Sequence, residues 1–197
     1  EVKTIHEKKY SLLFRRLEII DLNKRSSQPF VSNDGLIHLV FNGEIYNYLE
    51  IKDELKMDNV KFRTRSDTEV ILKSYEKWGP KFVEKLRGMF SIIILDNKKK
   101  KYLCYRDRLG QKPLFYSIYK DGLILSSEIK DIIYFKEKNK IVENKTVVQK
   151  YLLRGWCDDS KQTFFKGIYS LPASCIGIID KSFIKIKKYW KLDVKKN

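Results

Sequence analysis

The apolar run from Met89 to Leu95 constrains the fold more than any other stretch of this sequence. Its residues, Met-Phe-Ser-Ile-Ile-Ile-Leu, are mostly of the β-branched and aromatic types that favour a strand. The run is too apolar to be exposed on both faces. We therefore predict a strand that is buried on at least one face.

Further strand-type segments, joined by short turns, recur along the chain. The predicted strands are 12–20, 36–41, 89–95, 102–105, 114–119, 123–125, 175–179 and 183–189. The predicted helices are 48–57, 66–78, 80–87, 128–135 and 146–153. Strands outnumber helices and mostly follow one another through short turns, which favours antiparallel sheets with helices packed on them. We therefore predict an α+β fold.

One of these helices has both a start and a stop signal. Ser66-Asp67-Thr68-Glu69 has the S-x-x-E pattern of a capping box, in which the serine and the glutamate satisfy amide groups at the start of a helix. Gly79-Pro80 ends the helix, because glycine suits the position after the last turn and proline cannot continue it.

Composition limits the class of protein. At 197 residues, one domain is expected, or one domain with a tail. Hydrophobic residues at 43% and aromatic residues at 13% exclude a mainly disordered chain. The net charge of +16 suggests nucleic acid or a membrane surface as partners. However, no apolar stretch reaches ~18 residues and no standard nucleic-acid signature is present, so we predict no membrane and no nucleic-acid partner.

The cysteines and histidines argue against a metal site. Cys104, Cys157 and Cys175 are far apart, with no C-x-x-C pair, and the histidines are His6 and His38. Zinc ligands normally come in close pairs, so we predict that no metal is bound. An odd number of separated cysteines fits a reducing, cytoplasmic compartment. The start has no Met and no signal-peptide run, which suggests a piece of a longer gene product.

Asn42-Gly43-Glu44 lies between two apolar runs and has two interpretations. Asn-Gly is the strongest signal for a two-residue hairpin turn, because both residues tolerate positive φ. Alternatively, the Asn side-chain amide and the Gly backbone N–H point at one developing negative oxygen, as in an oxyanion hole. The residues alone leave both interpretations open.

Other charged positions also have two interpretations. Arg16, next to Arg15 in a strand-type run, is either a surface arginine or a bidentate clamp for a carboxylate. Asp67 is either an acid favoured by the helix dipole or an anionic partner for a substrate ammonium group. The cluster from Arg106 to Gly110 is either a salt-bridged turn or part of a site.

Taken in order, these motifs resemble the glutaminase domain of the glutamine-hydrolysing asparagine synthetases, a class II glutamine amidotransferase domain. The matching segments are 15–22 (RRLEIIDL), 28–29 (QP), 41–47 (FNGEIYN), 66–72 (SDTEVIL), 88–90 (GMF), 106–110 (RDRLG), 112–114 (KPL), 127–130 (SEIK), 163–164 (TF), 167–168 (GI), 171–172 (LP) and 189–190 (YW). Each motif alone is weak, but the ordered set spans essentially the whole chain and is specific.

The resemblance implies both a fold and a pocket. The fold is that of the N-terminal-nucleophile hydrolases, with four αββα layers and two stacked antiparallel sheets. In the implied pocket, Arg16 grips the α-carboxylate of glutamine and Asp67 takes its α-ammonium group. Asn42 and Gly43 form the oxyanion hole. The other implied glutamine-binding residues are Leu17, Glu18, Ile19, Ile20 and Glu44.

The sequence departs from the family at the nucleophile. The family nucleophile is an N-terminal cysteine whose own α-amine, with a pKa of ~7.7–8, acts as the general base. Here the first residue is Glu1, and each cysteine is internal. We therefore expect residues 1–190 to be an amidotransferase domain without its nucleophile segment and residues 191–197 to begin the linker to an absent synthetase domain. The chain as given is then expected to be inactive.

The implied activity of the full-length protein is hydrolysis of L-glutamine to glutamate and ammonia for ATP-dependent amidation of aspartate. The glutaminase domain needs no cofactor, while ATP and Mg²⁺ are implied for the synthetase domain. The expected partners are L-glutamine and that domain, with a homodimer as an open alternative. Two other functions stay open: amidation of another carboxylate, such as a surface-polysaccharide sugar acid, or a catalytically dead interaction module.

Overall fold

The structure is a computed structural model that describes residues 2–7, 10–15, 26–119, 122–136, 141–157, 160–181 and 183–193. The chain divides into two compact units, Glu1–Leu103 and Cys104–Asn197, and each is described by itself.

In its described residues, the first unit combines antiparallel strands with helices. Its elements are β1 (Val2–His6), β2 (Ser11–Arg15), β3 (Phe30–Val31), β4 (Ile37–Ile45), α1 (Tyr48–Met57), α2 (Asp67–Trp78), a 3-10 helix (Gly79–Lys85) and β5 (Gly88–Asp96), followed by β6 (Lys101–Arg106), which runs across the division. β1 and β2 form a hairpin, and β4 lies between β3 and β5. β4 is therefore the strand around which this unit is organised.

β4 and β5 are paired along their whole length, from Ile37 opposite Asp96 to Ile45 opposite Gly88. Both strands contribute fully buried side chains to the core of the unit, and α1 and α2 add their apolar faces. The buried core residues include Leu39, Phe41, Ile45, Ile51, Leu55, Val70, Ile71, Tyr75, Phe82, Phe90, Ile92 and Ile94. This long paired ladder fixes the end of β4, where the site residues lie.

The second unit contains two further antiparallel arrangements. Its elements are β7 (Phe115–Tyr119), β8 (Gly122–Ser126), α3 (Ile129–Phe135), α4 (Lys145–Arg154), β9 (Tyr169–Ser170), β10 (Cys175–Asp180) and β11 (Phe183–Lys188). β7 lies between β8 and β9, and β10 pairs with β11 in a hairpin. The pairing of β7 with β8 and of β10 with β11 confirms the short turns predicted between 114–119 and 123–125 and between 175–179 and 183–189.

Most of the predicted elements are confirmed. The predicted helix at 48–57 is α1, and the helix after Ser66 is α2, which ends at Gly79 as predicted. The predicted strand at 36–41 is too short, because β4 continues to Ile45. The predicted helix at 80–87 is a 3-10 helix over Gly79–Lys85. Of the predicted strand at 12–20, the part from residue 16 onward lies outside the described residues.

Candidate active site

Asn42, Gly43 and Glu44 lie inside β4, so the hairpin-turn interpretation is wrong. Asn42 is opposite Ser91, and Gly43 is opposite Phe90. Gly43 has φ +148°, and a Cβ atom at this position would lie 2.0 Å from the Met89 carbonyl oxygen. The glycine is thus needed for close approach of two strands rather than for a turn.

Gly88 shows the same close approach from the opposite strand. A Cβ atom on Gly88 would lie 2.2 Å from the Glu44 carbonyl oxygen and 3.0 Å from the Ile45 Cα atom. The backbones at this end of the β4–β5 ladder therefore leave no room for side chains between them. Asn42 and Gly43 are half-buried here, and Glu44 is exposed.

Asp67, in the first turn of α2, lies against the same end of β4. The Ile45 N–H donates a hydrogen bond to Asp67 Oδ2 at 3.4 Å. Asp67 is only 6% exposed. The structure therefore brings four of the predicted site residues together, with Asn42, Gly43 and Glu44 on β4 and the Asp67 carboxylate at its end.

Burial raises the pKa of the Asp67 carboxyl to about 6. The backbone N–H groups of Ile45 and Thr68 act in the opposite direction, and the charge of Glu44 raises the pKa further. Within the described ranges, no Lys, Arg or His forms an ion pair with this carboxylate. Asp67 is thus a buried acid to which a cationic ligand would be electrostatically favourable.

Glu69 fixes the loop that leads into α2. Its buried carboxylate accepts hydrogen bonds from the Arg63 N–H at 3.0 Å and the Thr64 N–H at 2.6 Å. The Thr64 hydroxyl donates to the same carboxylate at 2.7 Å. These bonds hold the chain immediately before Asp67.

The predicted capping box is half formed. Ser66 Oγ accepts from the Glu69 N–H at 3.3 Å, as the pattern predicts. The Glu69 carboxylate instead turns to the preceding loop, and the Ser66 N–H donates to Thr64 Oγ1 at 3.3 Å. The capping signal therefore predicted the start of α2 correctly but not the role of its glutamate.

The remaining predicted pocket residues, 16–20, lie outside the described residues. They are Arg16, Leu17, Glu18, Ile19 and Ile20. Their assignment to glutamine stays a prediction.

In the second unit, the cluster from Arg106 to Gly110 is a turn held by side-chain bonds to the backbone. The Arg106 guanidinium donates to the carbonyl oxygens of Lys112, Gly110 and Leu171 at 2.7–2.9 Å. The fully buried Asp107 carboxylate accepts backbone N–H bonds at 2.9–3.1 Å, and the donors are Leu109, Gln111 and Lys112. This arrangement supports the turn interpretation of the cluster.

The cysteine environments match packing roles. Cys104 is fully buried, and burial raises the pKa of its thiol to about 12. A Cβ atom on Gly177 would lie 2.5 Å from its sulfur atom, so the thiol fills the space that this glycine leaves. Burial also raises the pKa of the Cys175 thiol. Neither environment favours the thiolate that a nucleophile requires.

The described residues contain no group of three or more His, Cys, Asp or Glu side chains that could hold a metal ion. Among the same residues, no helix is both long enough and apolar enough to cross a membrane.

Gln28, whose carboxamide bonds directly to β4, is not among the predicted site residues. Gln28 Nε2 donates to the Phe41 carbonyl oxygen at 3.0 Å, and Gln28 Oε1 accepts from the Phe41 N–H at 2.6 Å. Phe41 immediately precedes Asn42. The only sequence signal was the Gln28-Pro29 motif within the family resemblance.

Comparison with known proteins gives matches across most of the chain. A sequence family described as a glutamine amidotransferase domain matches residues 2–190. Asparagine synthetase (glutamine-hydrolysing) 2 of Bacillus subtilis (strain 168) is 49% identical over 126 residues, covering 64% of this chain and 16% of that protein. Asparagine synthetase (glutamine-hydrolysing) 1 of the same organism is 37% identical, covering 75% of this chain and 23% of that protein. The chain spans 37% or less of the length of the first curated relatives it matches.

A solved structure shows the fold. Glutamine phosphoribosylpyrophosphate amidotransferase from B. subtilis, in complex with ADP and GMP, matches with a TM-score of 0.63 at 17% identity, covering 91% of this chain and 35% of that chain. This likeness confirms the predicted α+β fold of antiparallel sheets and helices, the fold of the N-terminal-nucleophile hydrolases.

Proposed function

The chain belongs to the glutamine amidotransferase domain family, and on that premise we propose that it is the glutaminase part of an asparagine synthetase-like enzyme. The observation that supports this most directly is the buried Asp67 carboxylate, which accepts from the Ile45 N–H two residues beyond Gly43. The Asp67 carboxylate, suited to an ammonium group, and the Gly43 N–H, suited to an oxyanion, then lie at one end of β4. Free glutamine carries an α-ammonium group and a side-chain amide whose carbonyl oxygen becomes the oxyanion.

We assign Asp67 to the α-ammonium group of glutamine. The pKa of this buried carboxyl is raised to about 6, so its charged form is disfavoured until a cation neutralises it. An ammonium group bound here would favour the charged form and lower that pKa. Arg16 remains the proposed partner for the α-carboxylate, and Leu17, Glu18, Ile19, Ile20 and Glu44 the proposed wall of the pocket.

The proposed reaction proceeds through a thioester. The thiol of an N-terminal cysteine in the full-length protein gives its proton to its own α-amine and attacks the side-chain amide carbon. The Asn42 amide and the Gly43 N–H stabilise the tetrahedral oxyanion. The protonated α-amine of the cysteine then returns the proton to the side-chain amide nitrogen of glutamine, which leaves as ammonia as the C–N bond breaks. Water then attacks the thioester carbon, which releases glutamate and regenerates the thiol. One oxyanion donor contributes ~2.7–4 kcal/mol to such a step.

In the full-length protein, the proposed fate of the ammonia is ATP-dependent amidation of aspartate. We place ATP and Mg²⁺ in a synthetase domain that follows residues 191–197, while residues 1–190 need no cofactor. Amidation of another carboxylate is the alternative acceptor chemistry. We also propose a cytoplasmic location, supported by the buried thiols of Cys104 and Cys175, which form no disulfide among the described residues.

The test is glutamate release by the full-length protein with its native N-terminus. A charge-assisted bond contributes ~1.5–3 kcal/mol, so Asp67→Ala should lower kcat/KM for glutamine roughly 10- to 100-fold. Asp53→Ala, which removes a 66% exposed carboxyl group from α1, is the matched control and should leave kcat/KM unchanged. Full activity of Asp67→Ala would refute the role of Asp67, and no glutamate release by the native protein would refute the glutaminase itself.

A further inference from the structure

The side chain of Gln28 occupies the edge of β4 like a residue of a neighbouring strand. Its carboxamide both donates to the Phe41 carbonyl oxygen, at 3.0 Å, and accepts from the Phe41 N–H, at 2.6 Å. Two antiparallel residues in a hydrogen-bonded pair exchange the same two bonds. Gln28 is only 7% exposed, so little water competes for these bonds.

The register of the sheet explains why a side chain is needed at this point. β3 pairs only over two residues, Phe30 opposite Leu39 and Val31 opposite His38. The same register, continued, would bring the backbone of residue 28 opposite Phe41. β3 instead begins at Phe30, and the Gln28 side chain makes the bonds of the missing pair. The backbone ladder between β3 and β4 therefore ends at the Phe30–Leu39 pair, and at Phe41 a side chain takes the place of the backbone partner.

The next positions on this edge belong to the candidate active site. Alternate residues of an antiparallel strand direct their N–H and C=O groups to the same side. Phe41 bonds to Gln28 on this side, and Ile45 bonds to Asp67. Tyr46, by contrast, donates to the Arg87 carbonyl oxygen, toward β5. The Gly43 N–H therefore points to the edge between Gln28 and Asp67.

We propose that Gln28 is a positioning residue for the oxyanion hole, an inference that rests on the proposed function. By taking the place of a backbone partner at Phe41, it keeps β3 from extending along β4 to cover the Gly43 N–H. By holding both groups of the Phe41 peptide, it also fixes the backbone that carries Asn42 and Gly43. Donors displaced by ~1 Å can cost ~100-fold in rate, so loss of this support acts on catalysis rather than on substrate binding.

The first test measures kcat and KM for glutamine in the full-length protein with its native N-terminus. Gln28→Leu keeps most of the side-chain volume and removes both bonds to Phe41. It should lower kcat ~10- to 100-fold and change KM less than ~3-fold, because Asp67 is untouched. Ser74→Ala is the control, since it removes another buried hydrogen bond, from the Ser74 hydroxyl to the Val70 carbonyl oxygen at 2.7 Å within α2. It should leave kcat unchanged.

A kcat for Gln28→Leu within twofold of the native value would overturn the proposal, as would an equal fall in kcat for Ser74→Ala. If Gln28→Leu does not fold, Gln28→Glu decides the matter. Its carboxylate still accepts from the Phe41 N–H but cannot donate to the Phe41 carbonyl oxygen, so kcat should again fall with KM nearly constant. An unchanged kcat in that variant contradicts the proposal.

Amide hydrogen exchange separates this proposal from the glutaminase assignment. In the native protein the Phe41 N–H should exchange at least ~10-fold more slowly than the Gly43 N–H. Gln28→Leu or Gln28→Glu should speed exchange at Phe41 and leave Ile92, in the core of β5, unchanged. If the native protein releases no glutamate but shows this pattern, the proposed function fails while the placement of Gln28 stands. An unaltered Phe41 exchange rate overturns the placement itself.

Discussion

Replacing Asp67 with asparagine should stabilise the unliganded protein at pH 8, although the variant loses a residue of the proposed pocket. The pKa of Asp67 is raised from 3.8 to about 6 in the folded chain, chiefly by burial. One unit of pKa difference corresponds to ~1.36 kcal/mol, so the buried charge costs roughly 3 kcal/mol of unfolding free energy once it is fully ionised.

The sign of the pH dependence follows from the protons bound in each state. Between pH 3.8 and about 6 the folded protein retains a proton on Asp67 that the unfolded chain has lost. The contribution of Asp67 to the unfolding free energy therefore falls as the pH rises through this window and stays low above it. Below pH 3.8 both states are protonated, and the penalty is absent.

Asparagine removes this penalty and keeps a neutral acceptor, since its carbonyl oxygen can still accept from the Ile45 N–H. The backbone hydrogen bonds that favour the charged carboxylate are already included in the raised pKa, so they are not subtracted again. The net gain at pH 8 is therefore roughly 3 kcal/mol, and the gain should vanish near pH 4, where the folded protein carries a neutral Asp67.

Urea unfolding of the native protein and the variant, followed by tryptophan fluorescence at several pH values, measures this difference. Asp53→Asn is the matched control, because its carboxyl is 66% exposed, and it should change stability by less than about 0.5 kcal/mol. Asp67→Asn that is no more stable than the native protein at pH 8 would refute the reasoning. A stability difference that does not change between pH 4.5 and pH 8 would refute it equally.

Two further substitutions test the packing around the site. Gly43→Ala should destabilise the protein by at least about 2 kcal/mol more than Gly35→Ala in urea unfolding. A Cβ at position 43 would meet the Met89 carbonyl oxygen, whereas a Cβ at position 35 would have no atom of the described residues within 4 Å, apart from its chain neighbours. Equal losses would contradict the close approach. Glu69→Gln should lower the unfolding free energy by about 2–4 kcal/mol, because the buried Glu69 carboxylate accepts several hydrogen bonds from the 63–64 loop. A loss of less than about 0.5 kcal/mol in the same assay would show that the loop does not depend on the Glu69 carboxylate.

Elements with local signals could be predicted from the sequence. Helix α1 is predicted over residues 48–57 and is found there, because apolar residues spaced among charged ones form a pattern that can be recognised within a few residues. The start of α2 was predicted from Ser66, whose hydroxyl oxygen accepts the Glu69 N–H. The end of α2 was predicted from Gly79. In each case the deciding contacts join near neighbours in the sequence.

Local sequence patterns did not predict the structure where it depends on residues that are far apart in the chain. Asn42-Gly43 is a strong local turn signal, but the pairing of β4 with β5 overrides it, and the opposing strand lies more than forty residues further along the chain. The hydrogen bonds of Gln28 to Phe41 likewise join residues that are 13 positions apart, and no periodicity in the sequence predicts them. The resemblance to a family did select Asn42, Gly43 and Asp67, because ordered motifs carry information that a single turn signal lacks.

The central claim is that Asp67 receives the ammonium group of glutamine, and its titration tests this most directly. The full-length protein, with its proposed N-terminal cysteine changed to alanine, can be titrated by carboxyl ¹³C NMR with and without saturating glutamine. Without glutamine the pKa of Asp67 should be about 6. With glutamine bound, the new charge pair should lower that pKa by ~1–3 units. A pKa that stays at about 6 in the presence of bound glutamine would contradict the account.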